Sequence, residues 1–408
     1  MRRALIIGGS LAGLFAAHLL RAIGWEVDVF ERNSGDLAGR GAGIGTHDAL
    51  ISIAKRIDLS FDSANGVVTR SYACVARDGR VLHEMPLQRV MSAWGVIHRP
   101  LKDRLPAEFY HHGRTLARVS ADRDLVTAIF ADGSRETGEL LVGADGSRSA
   151  VRGEVAPAEQ PQYVNYVAWR CLLDEADVPA KLRESFFENF SLCLPDGEMC
   201  LGYPVPGRND ETEVGRRCYN IVWYRPCDPD VTLPDICTDA SGRRHAAIPP
   251  PLIRPDVIER IKATARALVT PQHADVFCRA QPFFQPIYEL APTQIVYGRV
   301  ALIGDAAFVI RPHAGAGTTK AGLDAACLAD AIAEDGLEAG LARYEREQLR
   351  FGRGLITLGR YEGDHLSAQT KPRDQQSAAE RQWDAESVLN AHVTRSQEVG
   401  RVYAARVG

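Results

Sequence analysis

Residues 4–23, ALIIGGSLAGLFAAHLLRAI, decide the fold expected for the amino-terminal region. The segment ALII (4–7) is a short, continuous apolar run, which is typical of a strand buried on both faces. The glycine-rich segment GGSLAG (8–13) follows it. The next segment, LFAAHLLRAI (14–23), has helical periodicity and is ended by Gly24. The stretch therefore predicts a strand, a tight turn and a helix in that order.

The turn itself indicates dinucleotide binding. A second strand, EVDVF (26–30), follows the helix and leads to Glu31. Glycines in such a turn let the backbone approach a pyrophosphate at the helix N-terminus, and the acid accepts hydrogen bonds from an adenosine ribose. In the usual GxGxxG spacing the middle glycine stands where this chain has Ser10, whose N–H or hydroxyl can still donate to a phosphate. A βα turn without a ligand is the alternative.

Three further turns carry polar residues. GADGSRS (143–149) follows the strand ELLVGA, and GDAA (304–307) follows the strand RVALI. Each has a plainer alternative, because Asp-Gly is a common turn pair and Asp305 could cap the segment that follows it. GRGAGIGTH (39–47) has no apolar strand before it, so we interpret its glycines as lying flat against a planar ligand, with Arg40 available to a phosphate.

Composition and pattern divide the chain into parts. The middle of the chain is richer in proline and aromatic residues and contains alternating runs such as YNIVWY (219–224), which favour an antiparallel sheet. The nucleotide-type pattern returns at RVALIGDAA. We therefore expect the first part of a nucleotide-binding domain over 1–155, an inserted and mainly antiparallel domain over 156–285, the second part of the nucleotide-binding domain with helices over 286–370, and a polar C-terminal segment over 371–408; the resemblance given below implies FAD binding for the first domain and substrate binding for the inserted one.

The overall composition excludes several classes of function. The net charge of −4 gives no reason to expect nucleic acid or an anionic membrane as a partner. No apolar run approaches the roughly 20 residues that span a bilayer, and glycines interrupt the N-terminus too early for a signal peptide. The nine cysteines show no CxxC spacing, which is typical of reduced thiols. A cytoplasmic protein is expected.

Taken in order, these motifs resemble those of the single-component FAD-dependent aromatic hydroxylases. The resemblance covers roughly residues 1–350 and rests on GGSLAG with Glu31-Arg32, on GADGSRS, and on GDAA followed by a proline and a glycine turn. Within this family, YVAWR (166–170), YPVPG (203–207) and RPHA (311–314) are most similar to the dihydroxypyridine hydroxylases. The loop GRGAGI is similar to that of the urate hydroxylases.

The resemblance implies an α/β fold: a Rossmann-like FAD-binding domain with an inserted antiparallel-sheet substrate domain and C-terminal helices. It implies FAD as the cofactor and NAD(P)H as a transient co-substrate. In the family the aspartate of GD binds the ribityl chain, the following glycine turn contacts the pyrimidine end of the flavin, and the DG motif serves a pyrophosphate. The cofactor-binding residues so implied are Gly8, Ser10, Leu11, Ala12, Gly13, Glu31, Arg32, Arg40, Ile44, Arg99, Leu116, Asp145, Asp305, Gly315, Ala316, Gly317, Thr318 and Thr319.

The implied reaction hydroxylates an electron-rich aromatic or heteroaromatic ring. NAD(P)H reduces FAD and leaves, and O₂ then forms a flavin C4a-hydroperoxide, while the protein supplies placement and proton control. His313 is the expected base because the unperturbed pKa of histidine is about 6.5. Pro312 fixes the turn beside it, and Arg170 needs a partner or a ligand because it lies in an apolar strand. Trp169, Tyr203, Trp223 and Tyr224 are the expected substrate-binding residues.

Several alternatives stay open at this point. Ordinary core packing is the alternative for each aromatic residue, and a structural role in the loop is the alternative for His313. Arg311 stands where many members of the family have the first of two prolines. Arg311 and His313 therefore leave open which substrate is bound, and not which cofactor. Urate or a phenol could replace a dihydroxypyridine as substrate, and an FAD-binding redox protein without hydroxylase activity is a further alternative. Members of the family are often dimeric, so a homodimer is expected.

Overall fold

The six-stranded sheet is built around the strand-turn-helix unit predicted near the amino-terminal end of the chain. The computed structural model describes residues 2–35, 43–60, 65–370 and 386–390. The strands of this sheet, in spatial order, are β16 (Val296–Tyr297), β17 (Val300–Leu302), β10 (Leu140–Gly143), β1 (Arg3–Ile7), β2 (Glu26–Glu31) and β6 (Tyr110–His112). All neighbouring pairs are parallel except β16 with β17. The predicted return of the chain at RVALI to the first sheet is therefore confirmed.

An eight-stranded sheet forms the second layer. Its strands, in spatial order, are β15 (Phe283–Glu289), β11 (Gln162–Asp174), β14 (Cys218–Pro226), β13 (Met199–Val205), β12 (Phe190–Cys193), β4 (Val67–Val75), β5 (Val81–Ala93) and β3 (Gly43–Gly45). Only the β12–β4 pair is parallel. A small antiparallel sheet of β7 (Leu116–Ala121), β8 (Val126–Phe130) and β9 (Arg135–Gly138) packs into the same core as β1 and β10.

Ten α-helices lie within the described residues up to 370. They are α1 (Leu11–Ala22), α2 (Asp48–Lys55), α3 (Trp94–Arg104), α4 (Ala150–Val155), α5 (Ala180–Ser185), α6 (Thr232–Ile236), α7 (Pro255–Leu268), α8 (Pro271–Arg279), α9 (Gly317–Asp335) and α10 (Leu337–Thr370). Helices α1 and α9 pack against each other and belong to the core of the six-stranded sheet. Among the helices that the structure describes, none has the length and apolar character needed to cross a bilayer.

The predicted fold class is confirmed, but the large sheet does not follow the predicted segments. Strands β3, β4 and β5 lie within residues 43–93, which the composition assigns to the first FAD-binding part, yet they pair into the sheet of the inserted domain. Pairing between strands distant in sequence leaves no local signal in composition. The domain boundaries themselves remain a proposal.

The two faces of the eight-stranded sheet carry different cores. On one face, side chains such as Trp169 and Trp223 pack with helices α7 and α8. On the other face, which we call the inner face, the buried cluster includes Tyr166, Tyr203 and Tyr224. Because successive side chains of a strand point to opposite faces, each strand contributes to both cores.

A short C-terminal segment also packs into the inner-face cluster. Residues 386–390 are helical, and the side chains of Val388 and Leu389 are buried among the aromatic residues of that cluster. The sequence predicts a polar segment over 371–408. Within its described part, the two apolar residues are an exception to that prediction and anchor the segment to the sheet.

A buried histidine network joins α8 to the sheet. The Nε2 atom of His273 lies 2.8 Å from the Ser191 hydroxyl, and its Nδ1 atom lies 3.0 Å from the hydroxyl of Thr270. All three side chains are fully buried. Burial lowers the pKa of His273 to about 3, so the ring is neutral in the folded protein.

We expect this network to destabilise the protein in acid. The unfolded chain protonates His273 near pH 6.5 and the folded protein only near pH 3, so its contribution is complete above pH 6.5 and is lost as the pH falls. At pH 5 the loss is about 2 kcal/mol. Calorimetric Tm values of FAD-loaded protein between pH 7.5 and 5 should fall less steeply in His273→Gln than in the parent. An identical pH dependence in both proteins would contradict the prediction.

Candidate active site

A cavity of about 470 Å³ lies where the strands of the six-stranded sheet end, and the three predicted nucleotide motifs meet in it. The predicted cofactor residues that line it are Gly8, Ser10, Leu11, Ala12, Glu31, Arg32, Leu116, Asp145, Asp305, Gly317 and Thr318. These residues come from segments separated by up to 310 positions in the chain, from Gly8 to Thr318. The structure therefore brings most of the predicted cofactor set to one place.

The first loop is shaped for close backbone contact. Gly8 has φ +110°, and a Cβ atom there would lie 2.4 Å from the carbonyl oxygen of Ala144 at the end of β10. Gly13 lies directly beneath the Gly8 carbonyl. Helix α1 begins just after Ser10 without a side-chain cap and without an acidic residue in its first turn. Its first N–H groups are therefore available to an anion, as a pyrophosphate requires.

Glu31 ends β2 beside this loop. One carboxylate oxygen accepts a hydrogen bond of 2.9 Å from the Gly9 N–H, and the other accepts one of 2.9 Å from the Asn33 N–H. The Asn33 side-chain amide also donates to that second oxygen, Oε1. Because a carboxylate has about four acceptor positions, the oxygen bonded to Gly9, Oε2, can still accept from a ligand. Arg32 and Leu116 line the cavity on either side.

Asp145 ends β10 with only one of its carboxylate oxygens bonded. Its Oδ2 atom accepts hydrogen bonds from the N–H groups of Ala150 and Val151, at 2.6 and 3.1 Å. Its Oδ1 atom is buried and has no partner among the described residues. Burial raises the pKa of this carboxyl group. A buried acceptor without a partner in a nucleotide cavity is suited to a ligand donor.

Asp305 faces the cavity from the turn after β17. Its carboxylate makes no hydrogen bond with any described residue, and the protein that surrounds it raises its pKa. The turn is held from behind: Lys320 donates to the carbonyl of Gly304 at 2.8 Å, and Asp324 accepts from the Gly304 N–H at 2.8 Å. The alternative role of Asp305 as a cap is therefore not what the described structure contains.

The glycine turn before α9 lies beside a series of hydrogen-bonded polar side chains. Gly315 adopts φ +58°, Ala316 is buried, and the hydroxyl of Thr319 lies 3.0 Å from Nδ1 of His47. Arg89 donates to Nε2 of the same ring at 2.8 Å. Burial, and secondarily Arg89, lowers the pKa of His47 to about 3. With Nε2 as an acceptor, the neutral ring carries its proton on Nδ1 and donates it to Thr319.

His313 lies on the inner face of the eight-stranded sheet. Its Nε2 atom is 2.8 Å from the hydroxyl of Tyr166, and its ring lies 4.3 Å from the ring of Tyr224, centre to centre. Pro312 begins the 3-10 turn that carries it. The loop therefore places a histidine against two tyrosines of the inserted domain.

The aromatic residues predicted to bind substrate divide between the two faces. Tyr203 and Tyr224 lie in the inner-face cluster, and the Tyr203 hydroxyl donates to the carbonyl of Gly43 at 3.3 Å. Trp169 and Trp223 lie on the opposite face, where they pack against Phe284 and Phe277. The two tryptophans therefore do not share a face with Tyr203 and Tyr224, because each is adjacent in sequence to a residue that faces inward, and their role in substrate binding stays a prediction.

Four other residues predicted for the site do not line the nucleotide cavity as described. Arg170 is half-buried, lies on the same face as Tyr166 by strand alternation, and donates to Gln285 at 3.3 Å. Arg99 forms an ion pair with Asp210 and does not line the cavity. Ile44 is half-buried in β3 against the core of the six-stranded sheet, and Arg40 lies outside the described residues.

The sequence analysis did not single out three residues that shape the candidate site: Tyr166, Arg152 and His47. Tyr166 could have been found, because a residue four positions before Arg170 on a strand shares its face. Arg152 is buried, and its guanidinium donates to the carbonyls of Ala306 and Ser147 at 2.8 and 2.5 Å, which ties the DG turn to the GD turn. His47 lies in the quoted glycine loop, but its contact with Thr319 spans 272 positions and has no local signal.

A parallel sheet with a glycine-rich phosphate loop, an acid after the second strand and a cavity at the strand ends defines a dinucleotide-binding protein. Comparisons with known proteins are more specific. A family model described as "FAD binding domain-like" matches residues 163–289. The 2,6-dihydroxypyridine 3-monooxygenase of Paenarthrobacter nicotinovorans is 30% identical over 356 residues, which are 87% of this chain and 89% of that enzyme.

Two further comparisons agree with this relationship. The 6-hydroxynicotinate 3-monooxygenase of Bordetella bronchiseptica is 28% identical over 84% of this chain and 85% of that enzyme. The solved structure of 2,6-dihydroxypyridine-3-hydroxylase from Arthrobacter nicotinovorans superposes with a TM-score of 0.84 at 30% identity, covering 90% of this chain and 92% of that one. The chain therefore belongs to the FAD-dependent aromatic monooxygenases, which use NAD(P)H and O₂ as co-substrates.

Proposed function

We propose that this enzyme hydroxylates a hydroxylated nitrogen heteroaromatic ring of the dihydroxypyridine type, with His313 as the proton acceptor. The observation that carries the proposal is the 2.8 Å contact between His313 Nε2 and the Tyr166 hydroxyl, beside the ring of Tyr224. It is supported by relatives that act on 2,6-dihydroxypyridine and 6-hydroxynicotinate. Both relatives are named for a hydroxylation at position 3 of a hydroxylated ring.

The cavity residues fit FAD as the resident cofactor. We propose that Gly8, Ser10, Gly13 and Glu31 hold the adenosine-pyrophosphate half and that Asp305 with the turn 315–319 holds the flavin half. The unpartnered Oδ1 of Asp145 and the uncapped start of α1 are the features that suit such a ligand. When bound, FAD would pass the two electrons taken from NAD(P)H to O₂, so that one oxygen atom of O₂ enters the ring and the other leaves as water.

The protein's part in the chemistry is to make the substrate ring electron-rich. Removing the proton of a ring hydroxyl raises the electron density of the ring, so a base beside the substrate assists attack on an electrophilic oxygen. With Nε2 of His313 in the hydrogen bond with Tyr166, Nδ1 is the ring nitrogen that would take this proton. Tyr166 holds the imidazole in one orientation. For Nδ1 to take a proton, the neutral ring must carry its own proton on Nε2 and donate it to the Tyr166 hydroxyl oxygen.

The tyrosines of the inner face would form the wall against which the substrate ring packs. Tyr203 and Tyr224 are buried there, and burial raises the pKa of Tyr203, which keeps its hydroxyl neutral. Arg170 lies on the same face of the sheet, where we propose that it contributes positive charge for an oxyanion. The neutral wall and the guanidinium of Arg170 suit a small, planar, hydroxylated ring.

We expect the true substrate to accelerate the reduction of bound FAD by NAD(P)H. In the family the aromatic substrate admits the nicotinamide, which prevents wasteful formation of peroxide. The measurement is stopped-flow flavin reduction with a set of dihydroxypyridines, hydroxynicotinates, urate and phenols, followed by mass analysis of the product. Stimulation by urate or a phenol alone would replace the proposed substrate class, and reduction rates that no hydroxylated compound changes would contradict the prediction.

We also propose an oligomeric state, from what is common in the family, and a cellular location, from the state of the cysteines. We propose a homodimer, because family members are often dimeric, and light scattering of the FAD-loaded protein would test it. We propose a cytoplasmic enzyme, because all nine cysteines are free thiols and seven of them are buried. Fractionation of the native host would test that location.

A further inference from the structure

A carboxylate between two arginines supports the loop that carries His313. Glu289 ends β15 and is 8% exposed. One of its oxygens accepts from Arg311 Nε at 3.0 Å, and the other accepts from Arg360 at 2.6 Å. Arg311 stands two positions before His313, and Arg360 belongs to α10. The three side chains therefore join the inserted domain, the loop and the long helix.

Backbone hydrogen bonds also connect the end of β15 to the loop that carries His313. Leu290 and Val309 exchange two N–H···O=C hydrogen bonds, of 3.0 and 3.1 Å, at the point where the chain enters the loop. On the far side, α10 passes so close that a Cβ atom on Gly363 would lie 2.5 Å from a guanidinium nitrogen of Arg311. The Arg311 side chain is therefore enclosed between β15 and α10, and its position is tightly constrained.

These contacts revise the expectation for Arg311. The sequence suggests a role toward the substrate, but its guanidinium is engaged by Glu289 and α10. Without the carboxylate, Arg311 would keep its charge in a mostly buried position beside a second arginine. Removing the carboxylate takes from both arginines an acceptor that they share and leaves two like charges on either side of one uncharged group, so we expect the loop to move rather than keep this arrangement.

We propose that Glu289 is a positioning residue for the hydroxylation: it holds Arg311 and, through Pro312, keeps His313 against Tyr166. Pro312 has a fixed φ, so a displacement of Arg311 is passed on to His313 with little loss. A shift of about 1 Å in a reacting group can cost on the order of a hundredfold in rate. This proposal rests on the proposed role of His313 and adds the residue that sets its place.

The test is Glu289→Gln, which keeps the shape of the side chain and removes its charge. We expect FAD content and NAD(P)H-dependent flavin reduction to stay at the parental level. The hydroxylated product formed per NAD(P)H should fall on the order of ten- to a hundredfold, with hydrogen peroxide replacing it. Glu334→Gln is the matched control, because it removes a carboxylate that pairs with Arg343 of α10 at 2.6 Å, away from the loop.

A double variant separates positioning from a general loss of stability. If Glu289 acts through His313, Glu289→Gln combined with His313→Ala should be no slower than His313→Ala alone. Effects that multiply, or parental product yield in Glu289→Gln, would overturn the proposal. Crystal structures of the parent and the variant test it without any substrate: loss of the hydrogen bond between His313 and Tyr166 is expected, and its retention at 2.8 Å would overturn the proposal.

These readouts keep the two proposals distinguishable. Failure of the proposed function would appear in the parent, as no hydroxylation of any compound in the set. Failure of the role of Glu289 would appear as an unchanged loop in the crystal structure of the variant. The second result does not depend on the first.

Discussion

Replacing His313 by alanine is expected to lower the rate of hydroxylation by about 10²–10⁴-fold, the usual cost of removing a general base. FAD binding and its reduction by NAD(P)H should be kept, because His313 lies on the inner face of the large sheet and does not line the nucleotide cavity. Oxygen should still be consumed, and hydrogen peroxide should accumulate in place of product. The measurement is the ratio of product to NAD(P)H oxidised, with peroxide quantified separately.

The dependence on pH identifies the reason for the loss. If His313 accepts the proton of a substrate hydroxyl, the alanine variant should recover activity as the pH rises toward the pKa of that hydroxyl, because the substrate then ionises unaided. His245→Ala is a suitable control, since His245 pairs with Asp239 in a surface loop. A variant that hydroxylates at the parental rate and yield at every pH would leave His313 with a structural role only.

Replacing Asp305 by alanine is expected to weaken FAD binding about ten- to a hundredfold. A hydrogen bond to a charged group contributes about 1.5–3 kcal/mol, and this carboxylate has no hydrogen bond to a described residue that it would lose. Because Lys320 and Asp324 hold the turn from behind, the fold around Gly304 should remain intact. The measurement is the dissociation constant of FAD from the protein, obtained by titrating the apo-protein with FAD and recording flavin fluorescence.

The isosteric variant sharpens this prediction. Asp305→Asn keeps an acceptor oxygen without the charge, so its affinity should fall between those of the parent and the alanine variant. A cap role predicts the opposite pattern: unchanged FAD affinity and a loss of about 1 kcal/mol in the stability of the apo-protein. Thermal unfolding of both apo-variants distinguishes the two outcomes.

The nucleotide cavity could be predicted from sequence because its information is local. The turn with Gly8 and Gly13 is constrained by contacts within the loop and with the end of β10, so the glycines, the uncapped helix and Glu31 follow one another within 25 residues. The Asp145 and Asp305 turns each follow a buried strand. Parallel strands of one sheet end at the same edge, so three local patterns were enough to place one cavity.

The inner face was predicted less well because its information is not local. Choosing both Trp223 and Tyr224, or both Trp169 and Arg170, contradicts the alternation of a strand, and the structure resolves each pair to opposite faces. The membership of β3, β4 and β5 in the large sheet depends on pairing across a hundred residues. Glu289 resembled an ordinary strand end until its partners from positions 311 and 360 were visible.

The burial of Val388 and Leu389 has a practical consequence for handling the protein. Their side chains lie in the same cluster as Tyr166 and Tyr224, which contact His313. A fusion or a deletion placed directly after α10 is therefore an alteration next to the proposed proton acceptor, although the polar composition of this region suggests a dispensable segment. An exposed internal turn, such as the one around Gly242, is the safer place for a label.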